Sequence, residues 1–351
     1  MLMNSGIFRT FSFKSAILAI IPIFLAVPLF AAGCGAEKEL VVYTAVDQVF
    51  SEPLFRQFSN ETGIRVLPVY DVEAAKTTGL VNRLMAEKSK PQADVFWSNE
   101  FIQTILLQEK GILAPYFSPS AKDIPAAFKE AGGYWTGFGG RARILLVNKE
   151  MVSKDQYPSS LLGLMDSAVD PKLVGMALPM FGTTATHAAA LYAGLGHDKA
   201  LAWFKSARDK GIQAVNGNSV VRDMVVSGQM AMGLTDTDDA YGAVNDGAPV
   251  EVVYLDQGEG EMGTLVNPNT VALIAGAPHT AIGKQFVDWL LRPETEAILL
   301  KAGWIDIPCR DVGISSKNLG GRVVKGMSVN LADIYRSLEA SKADMTELFI
   351  Q

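Results

Sequence analysis

The residues best placed to do chemistry stand at the end of one apolar run. Met230–Leu234 stops at Thr235-Asp236-Thr237-Asp238-Asp239, and Tyr241 and a predicted helix follow. Strand, polar turn and helix is the order in which an α/β sheet presents its strand ends to a ligand. Carboxylate oxygens there suit a hard cation or a cationic group. The same residues have a plainer use. Thr and Asp are good N-caps, and carboxylates in a first turn complement the helix dipole without any ligand. The two roles can divide, one Asp capping while another faces the cleft.

A second cluster has the opposite preference. Thr183, Thr184 and Thr186 lie in the stretch 179–187, ahead of a predicted helix over 187–195. Hydroxyls and backbone N–H groups at a helix start suit phosphate, carboxylate or carbonate, and Arg141 is a candidate to stand beside them. Taken with Asp238 and Asp239, this describes a metal ion with an accompanying anion. It equally describes a zwitterionic organic solute such as an aminophosphonate, its amine on the carboxylates and its anionic end on the threonines and Arg141. A plain helix cap also accounts for the threonines.

Other chemistries find no support. The chain has no Ser-His-Asp ordering, glycine-rich nucleotide loop, H-E-x-x-H or CxxC. Adjacent Asp238 and Asp239 point apart, which fits two ligand or capping roles better than paired acid–base work, so the chain is not read as an enzyme. A formal net charge of −6 and no run of Lys or Arg argue against a nucleic-acid partner. With 49% apolar and 19% charged residues over 351 positions, the chain can bury a sizeable core in roughly two domains.

The elements that position these residues alternate. Leu40–Thr44 is a short apolar run of the buried-strand kind, and Pro53–Thr62 is amphipathic and stopped by Gly63. With a strand over 64–70 this predicts a β–α–β unit. A helix over 77–89, a strand over 93–97 and a helix over 101–110 follow. The stretch 135–148, WTGFGGRARILLVN, reads as a strand crossing from one lobe to another. Beyond it the pattern predicts a helix over 159–166, a strand over 175–178, and helices over 198–210 and 220–227, the last capped by Ser219. Strands over 250–255 and 262–274 come next, with Pro268 marking an edge or a bend. Helices over 281–291, 293–303 and most of 328–349 finish the chain.

The first residues read as a leader. Arg9 and Lys14 precede an apolar run, Ala16–Phe30, which ends in Ala31-Ala32-Gly33-Cys34. That run is too short for a spanning helix and suits a signal peptide over 1–33. Ala-Gly-Cys resembles the bacterial lipobox, which makes Cys34 the lipidated first mature residue and places the protein in the periplasm or at the cell surface on a lipid anchor. Cys309 is then a lone cysteine, read as a small buried apolar residue.

Five stretches carry a resemblance: LVVYTAVDQVFSEPLFRQFSNETGI, PQADVFWSNE, GFGGRARILLVNKEM, MGLTDTDDAYGAV and GTLVNPNTVALIAGAPHTAIGKQFVDWLLRPETEAILLKAG. Together they resemble the periplasmic solute-binding proteins of ABC importers, and in particular the ferric-iron-binding group. The resemblance implies a two-lobed type II α/β fold, each lobe a mixed sheet flanked by helices, joined by crossover hinge strands. It assigns 34–143 plus about 262–308 to lobe 1 and about 144–261 plus 309–351 to lobe 2. It implies a monomer that closes on a small ligand in the interlobe cleft and delivers it to ABC permease subunits.

The resemblance also locates candidate ligands. Iron-binding members place a His or His-Tyr after the first strand; Asp47-Gln48 stand there. They place paired tyrosines where this chain has Asp238-Asp239, and some add a tyrosine where His187 falls. The phenolate set is therefore replaced by Asp47, Asp238, Asp239 and His187. Three oxygens and an imidazole suit ferric iron or a divalent metal, and clustered carboxylates in a closed cleft repel one another unless a cation or protons intervene. Capping remains the alternative for Asp47, and a local hydrogen bond for His187. Glu100 is a weaker candidate, and His197 and His279 read as solvated.

Overall fold

The computed structural model describes residues 38–71 and 78–350. The leader, Cys34 and Thr77 lie outside the described residues. Two units emerge, 1–36 and 37–351, and everything below concerns the second.

The first half opens with β1 (Glu39–Thr44), α1 (Gln48–Thr62) and β2 (Arg65–Tyr70), with β1 and β2 parallel. Helix α1 starts before Pro53 and carries it within its second turn. Its buried Leu54, Phe55 and Phe58 set the face that packs on the sheet. Gly63 ends it in the left-handed region, φ 71°, where its N–H reaches the Ser59 carbonyl. Then come α2 (Thr78–Ala86), β3 (Val95–Ser98), α3 (Ile102–Glu109) and the short β4 (Leu113–Ala114). Strand β3 lies parallel to β1 on the side away from β2.

β5 (Thr136–Asn148) crosses the molecule, and every one of its residues is buried. Beyond it run β6 (Val174–Ala177), α4 (Gly182–Leu195), α5 (His197–Asp209), β7 (Gln213–Val215), α6 (Asn218–Val226), β8 (Met232–Asp236), α7 (Thr237–Asn245) and β9 (Val250–Val253). β10 (Val266–Ile274) returns, followed by α8 (Thr280–Leu290), α9 (Pro293–Ala302) and α10 (Leu331–Phe349).

The strand order is β2-β1-β3-β10-β5-β8-β6-β7. Strand β5 changes partner along its length. Thr136–Ala142 pairs with β10, and from Arg143 onward the strand pairs with β8 and β9. In the second half β6, β7 and β8 are parallel, and each feeds a helix at its carboxyl end. This is the two-lobed fold with crossover strands. Helix α10 packs on α4 and α5 of one half and on α3 of the other. Ile334 and Leu338 share a core cluster with Phe101, Ile105 and Ala189.

Several boundaries differ from the sequence pattern. The polar turn after 234 is not a turn: β8 runs on to Asp236, and α7 starts at Thr237. Gly217, not Ser219, occupies the N-cap position of α6. Helix α4 begins at Gly182, so Thr183, Thr184, Thr186 and His187 are helical. Residues 159–166 form only a 3₁₀ turn, Leu162–Asp166. Pro268 sits in a strand paired on both sides, at a register shift between Pro268 and Asn269. The bend is there, and pairing with β3 begins only at Thr270, so Pro268 itself has a strand neighbour on the β5 side alone, which accommodates a residue without an N–H.

Candidate functional site

Three helix starts meet at the carboxyl ends of β6, β7 and β8, and one carboxylate joins them. Asp236 ends β8 and occupies the N-cap position of α7, yet its side chain does not cap that helix. Its Oδ1 accepts from Arg143 Nη1 at 3.0 Å, and its Oδ2 accepts from Thr183 Oγ1 at 2.5 Å and Asn218 Nδ2 at 3.0 Å. Thr183 belongs to α4, Asn218 to α6 and Arg143 to β5. Thr184 Oγ1 donates to Asn218 Oδ1 at 3.2 Å, and Arg143 Nη1 donates to the same oxygen at 3.0 Å. The Thr183 and Thr184 hydroxyls thus bond within the protein. A buried network of this kind, with Arg143 Nε its one buried atom left without a partner among the described residues, holds the three helix starts in fixed relation.

The first turn of α7 carries Asp238 and Asp239. Arg141 Nη1 donates to Asp238 Oδ2 at 2.8 Å, while Nη2 donates to the Asn99 carbonyl at 3.0 Å. The Arg141 guanidinium lies over the Trp304 ring, 5.1 Å from its centroid. One side chain from the crossover strand therefore touches the strand ends of both halves. Asp239 is paired more loosely, 3.4 Å from Arg222 Nη1 on α6. Burial pushes the Asp239 carboxyl up to about 7, with the charges of Asp238 and Asp236 adding to it against Arg222 and Arg141. Burial opposes the charge on Arg141, but Asp238 and Asp236 outweigh it and raise its pKa.

The repulsion expected among these carboxylates is met in part from within the protein. Asp236, Asp238 and Asp239 face Arg143, Arg141 and Arg222 in three ion pairs. Asp306, 0% exposed and close enough to feel the charge of Asp238, adds a further carboxylate with no ion pair among the described residues. One acceptor of the paired carboxylates is left over: Asp238 Oδ1 is buried and has no hydrogen-bond partner among the described residues.

The other sequence candidates lie elsewhere. Asp47 holds the N-cap position of α1 and is half-buried; its backbone carbonyl accepts from Phe50 and Ser51, and its side chain does not cap the helix. His187 is buried in α4. It lines a small crevice with Arg143, Leu161, Leu255, Asp256 and Met262. Burial, helped by Arg143, lowers its pKa to about 3, so it is neutral. Among the described residues no three His, Cys, Asp or Glu side chains form a group that could hold a metal, so Asp47, His187, Asp238 and Asp239 are not a preformed set in this conformation. Glu100 caps α3, accepting from the Ile102 and Gln103 amides at 2.6 and 2.9 Å. His279 contacts Asp94, and His197 contacts Asp198 and Asp344, so both are partnered. Cys309 is buried and free.

Sequence reasoning passed over Arg143, Asn218, Arg222, Asp236 as an ion-pair member, and Trp304. One signal was available: Arg141 and Arg143, two apart on a strand, lie on one face. The partners of Arg222 and Trp304 are set by tertiary packing and leave no local trace.

A family model described as bacterial extracellular solute-binding protein matches residues 54–316. The chain belongs to the bacterial extracellular solute-binding proteins. It is the extracytoplasmic solute-binding component of an importer. The solute-binding protein is 25% identical to iron uptake protein A1 of Synechocystis over 280 residues, 76% of this chain and 74% of that one. Its fold is that of the ferric binding protein from Campylobacter jejuni, with a TM-score of 0.78 and 20% identity over 88% of this chain and 99% of the other. It is also similar to the periplasmic binding protein AfuA from Actinobacillus pleuropneumoniae, solved with fructose-6-phosphate bound, with a TM-score of 0.73 and 22% identity over 90% and 99% of the two chains. Among the described residues no helix is long and apolar enough to cross a membrane.

Proposed function

We propose that this protein captures a metal cation, ferric iron above all, in the cleft between its lobes and hands it to an ABC permease. The observation that carries the reading is the surplus of acceptors at the start of α7. Asp238 Oδ1 is buried without a donor, and the Asp239 carboxyl beside it holds its proton up to about 7. A cation that displaces that proton satisfies both carboxylates at once. The iron-uptake relative of Synechocystis supports the same cargo. Asp47 and His187 are drawn in only if the lobes move, and a synergistic anion fills the remaining positions on the ion. Residues 34–143 with about 262–308 form one lobe, and about 144–261 with 309–351 the other. The partner exchange of β5 at Ala142 and Arg143 supports that division. The protein works as a monomer held to a membrane by lipid on Cys34, and it is not an enzyme.

One observation favours a second reading. The three Asp–Arg pairs set guanidinium donors among the carboxylates, so the site offers a place for an oxyanion as well as acceptors for a cation. A small organic solute bearing a cationic or hydroxyl donor for Asp238 and Asp239 and an oxyanion for Arg141 then suits it. The same fold holds an organic phosphate in AfuA.

Native mass spectrometry of chelator-free protein, with metal analysis and melting in the presence of added ions, tests these readings. A bound iron, or a melting rise of several kcal/mol equivalent at large ligand excess, supports the metal. No response to Fe, Mn, Zn or Ca together with a response to an aminophosphonate or sugar phosphate decides for the organic solute.

A further inference from the structure

Asn267 stands at the hinge with nothing to bond. It is 1% exposed, and among the described residues neither Nδ2 nor Oδ1 of its amide has a hydrogen-bond partner. Leaving two buried polar atoms unsatisfied costs stability, and an apolar residue of similar size removes that cost. The position is specific. Asn267 is directly opposite Arg141 in the β10–β5 ladder, so the two side chains share one face of the sheet. Arg141 Nε is also buried and unpartnered, although both Nη atoms of the same guanidinium are used. Asp238 Oδ1, on the carboxylate that Arg141 grips, is the third such group. Two donors, Arg141 Nε and Asn267 Nδ2, and two acceptors, Asn267 Oδ1 and Asp238 Oδ1, are thus gathered around one ion pair. The gathering lies where β5 changes partner from β10 to β8.

We propose that Asn267 is a solute-contacting, specificity-determining residue at the floor of the cleft. Its Nδ2 and Arg141 Nε together take one oxyanion, a carboxylate, phosphate or phosphonate, and its Oδ1 takes a hydroxyl or amine donor next to it. Opening at the crossover strands admits the solute, and closure buries the amide against it. This rests on the reading of the cleft as a solute site. The oxyanion has two sources, an anion that accompanies iron or the acidic end of an organic solute, and the chemistry at Asn267 is the same for both.

The test compares the wild type with Asn267→Leu and Asn267→Asp in the full chain. Melting is measured without ligand, and binding by calorimetry with ferric citrate, with ferric iron in bicarbonate, and with 2-aminoethylphosphonate. Asn267→Leu is expected to keep or raise the unliganded melting temperature and to weaken the probe that the wild type binds by about tenfold to a hundredfold, the loss of a hydrogen bond to a charged group. Asn267→Asp keeps the shape and removes the donor. It covers the case in which leucine overfills the site, and it is expected to weaken the same probe at least as much. Loss of ferric citrate or bicarbonate-iron binding identifies the accompanying anion as the partner; loss of 2-aminoethylphosphonate binding identifies the solute's own acid. Unchanged affinity in both variants overturns the proposal. A wild type that binds none of the probes overturns the cargo reading instead, and the unliganded melting then decides on its own: a fall with Asn267→Leu means the amide is bonded for structure and overturns the inference, and a rise supports it.

Discussion

Arg141 and Asp238 form an ion pair across the cleft at 2.8 Å, one from the crossover strand and the other from the first turn of α7. The pair sets the geometry of the site because Arg141 also holds the Asn99 carbonyl of the opposite half. A point charge on a flexible stem does not reproduce that fork.

Arg141→Met leaves Asp238 without its partner. A destabilisation of about 2–3 kcal/mol is expected, toward the lower end of what a broken buried pair costs, because the Asp238 side chain keeps 24% of its exposure. Urea unfolding measures it. Adding Asp238→Asn should restore part of the loss, and a strictly additive double mutant contradicts the pairing.

Asp238→Asn and Asp239→Asn separate ligation from capping. Asn caps a helix start nearly as well as Asp, so Asp239→Asn, whose partner Arg222 is more exposed, should hold stability within about 1 kcal/mol, whereas Asp238→Asn strands the buried Arg141 and should cost about 2–3 kcal/mol; cation binding should disappear in both. Binding that survives both substitutions assigns the two residues to the helix alone.

Cation binding should strengthen as pH rises through about 7. Asp239 is protonated below that value because burial and its acidic neighbours raise its pKa, and a bound cation must release the proton. Without ligand the sign for stability is opposite. The folded state binds the extra proton between the usual carboxylate range and about 7, so this group makes the protein less stable as pH rises through that window. Asp239→Asn removes both dependences; a pH profile of binding that is the same in the variant removes Asp239 from the site.

His187 has the reverse effect. Its pKa falls to about 3 in the fold from an ordinary 6.5, so between those values the unfolded chain binds the proton and the native state does not. Stability from this group is full above about 6.5 and is lost as pH falls toward 3. His187→Gln should flatten acid unfolding over that range, and an unaltered profile refutes the assignment.

Glu296 and Arg310 are paired at 2.9 Å with both side chains almost wholly buried. Glu296 Oε1 also accepts from the Gly139 and Cys309 amides at 2.8 and 2.6 Å, which anchors the start of the crossover strand. Glu296→Ala should cost about 3 kcal/mol, because it removes the buried carboxylate from Arg310 and leaves the Gly139 and Cys309 amides unpaired, while Asp123 at 2.7 Å keeps one ion pair to the guanidinium. The double variant with Arg310→Ala should cost less than the sum of the two.

Much of this was legible in the chain. Apolar runs of strand length, amphipathic stretches of period 3.6 and stop glycines such as Gly63 are local signals, because a strand or helix must bury one face whatever surrounds it. They located β1, α1, β5 and α8 to within a few residues and ordered them into α/β lobes. They missed the start of α1 and the nature of 159–166, where no face is amphipathic enough to mark a boundary. Asp238 and Asp239 were legible as an acidic strand end for the same local reason.

Charge partners were not legible. The sequence shows three carboxylates at 236–239 as one acidic patch, but their partners Arg141, Arg143 and Arg222 lie 17 to 97 positions away along the chain. Only the pairing of β5 with β8, and of α6 with α7, brings them within 3.4 Å. By itself the sequence determined the fold and the family, because those follow from periodicity and from motifs contiguous in the chain. Tertiary structure alone decided that Thr183 and Thr184 bond inward, that His187 is neutral and buried, and that each carboxylate of the acidic patch faces an arginine. Each of those depends on which distant group is folded against it and on how much water that packing excludes.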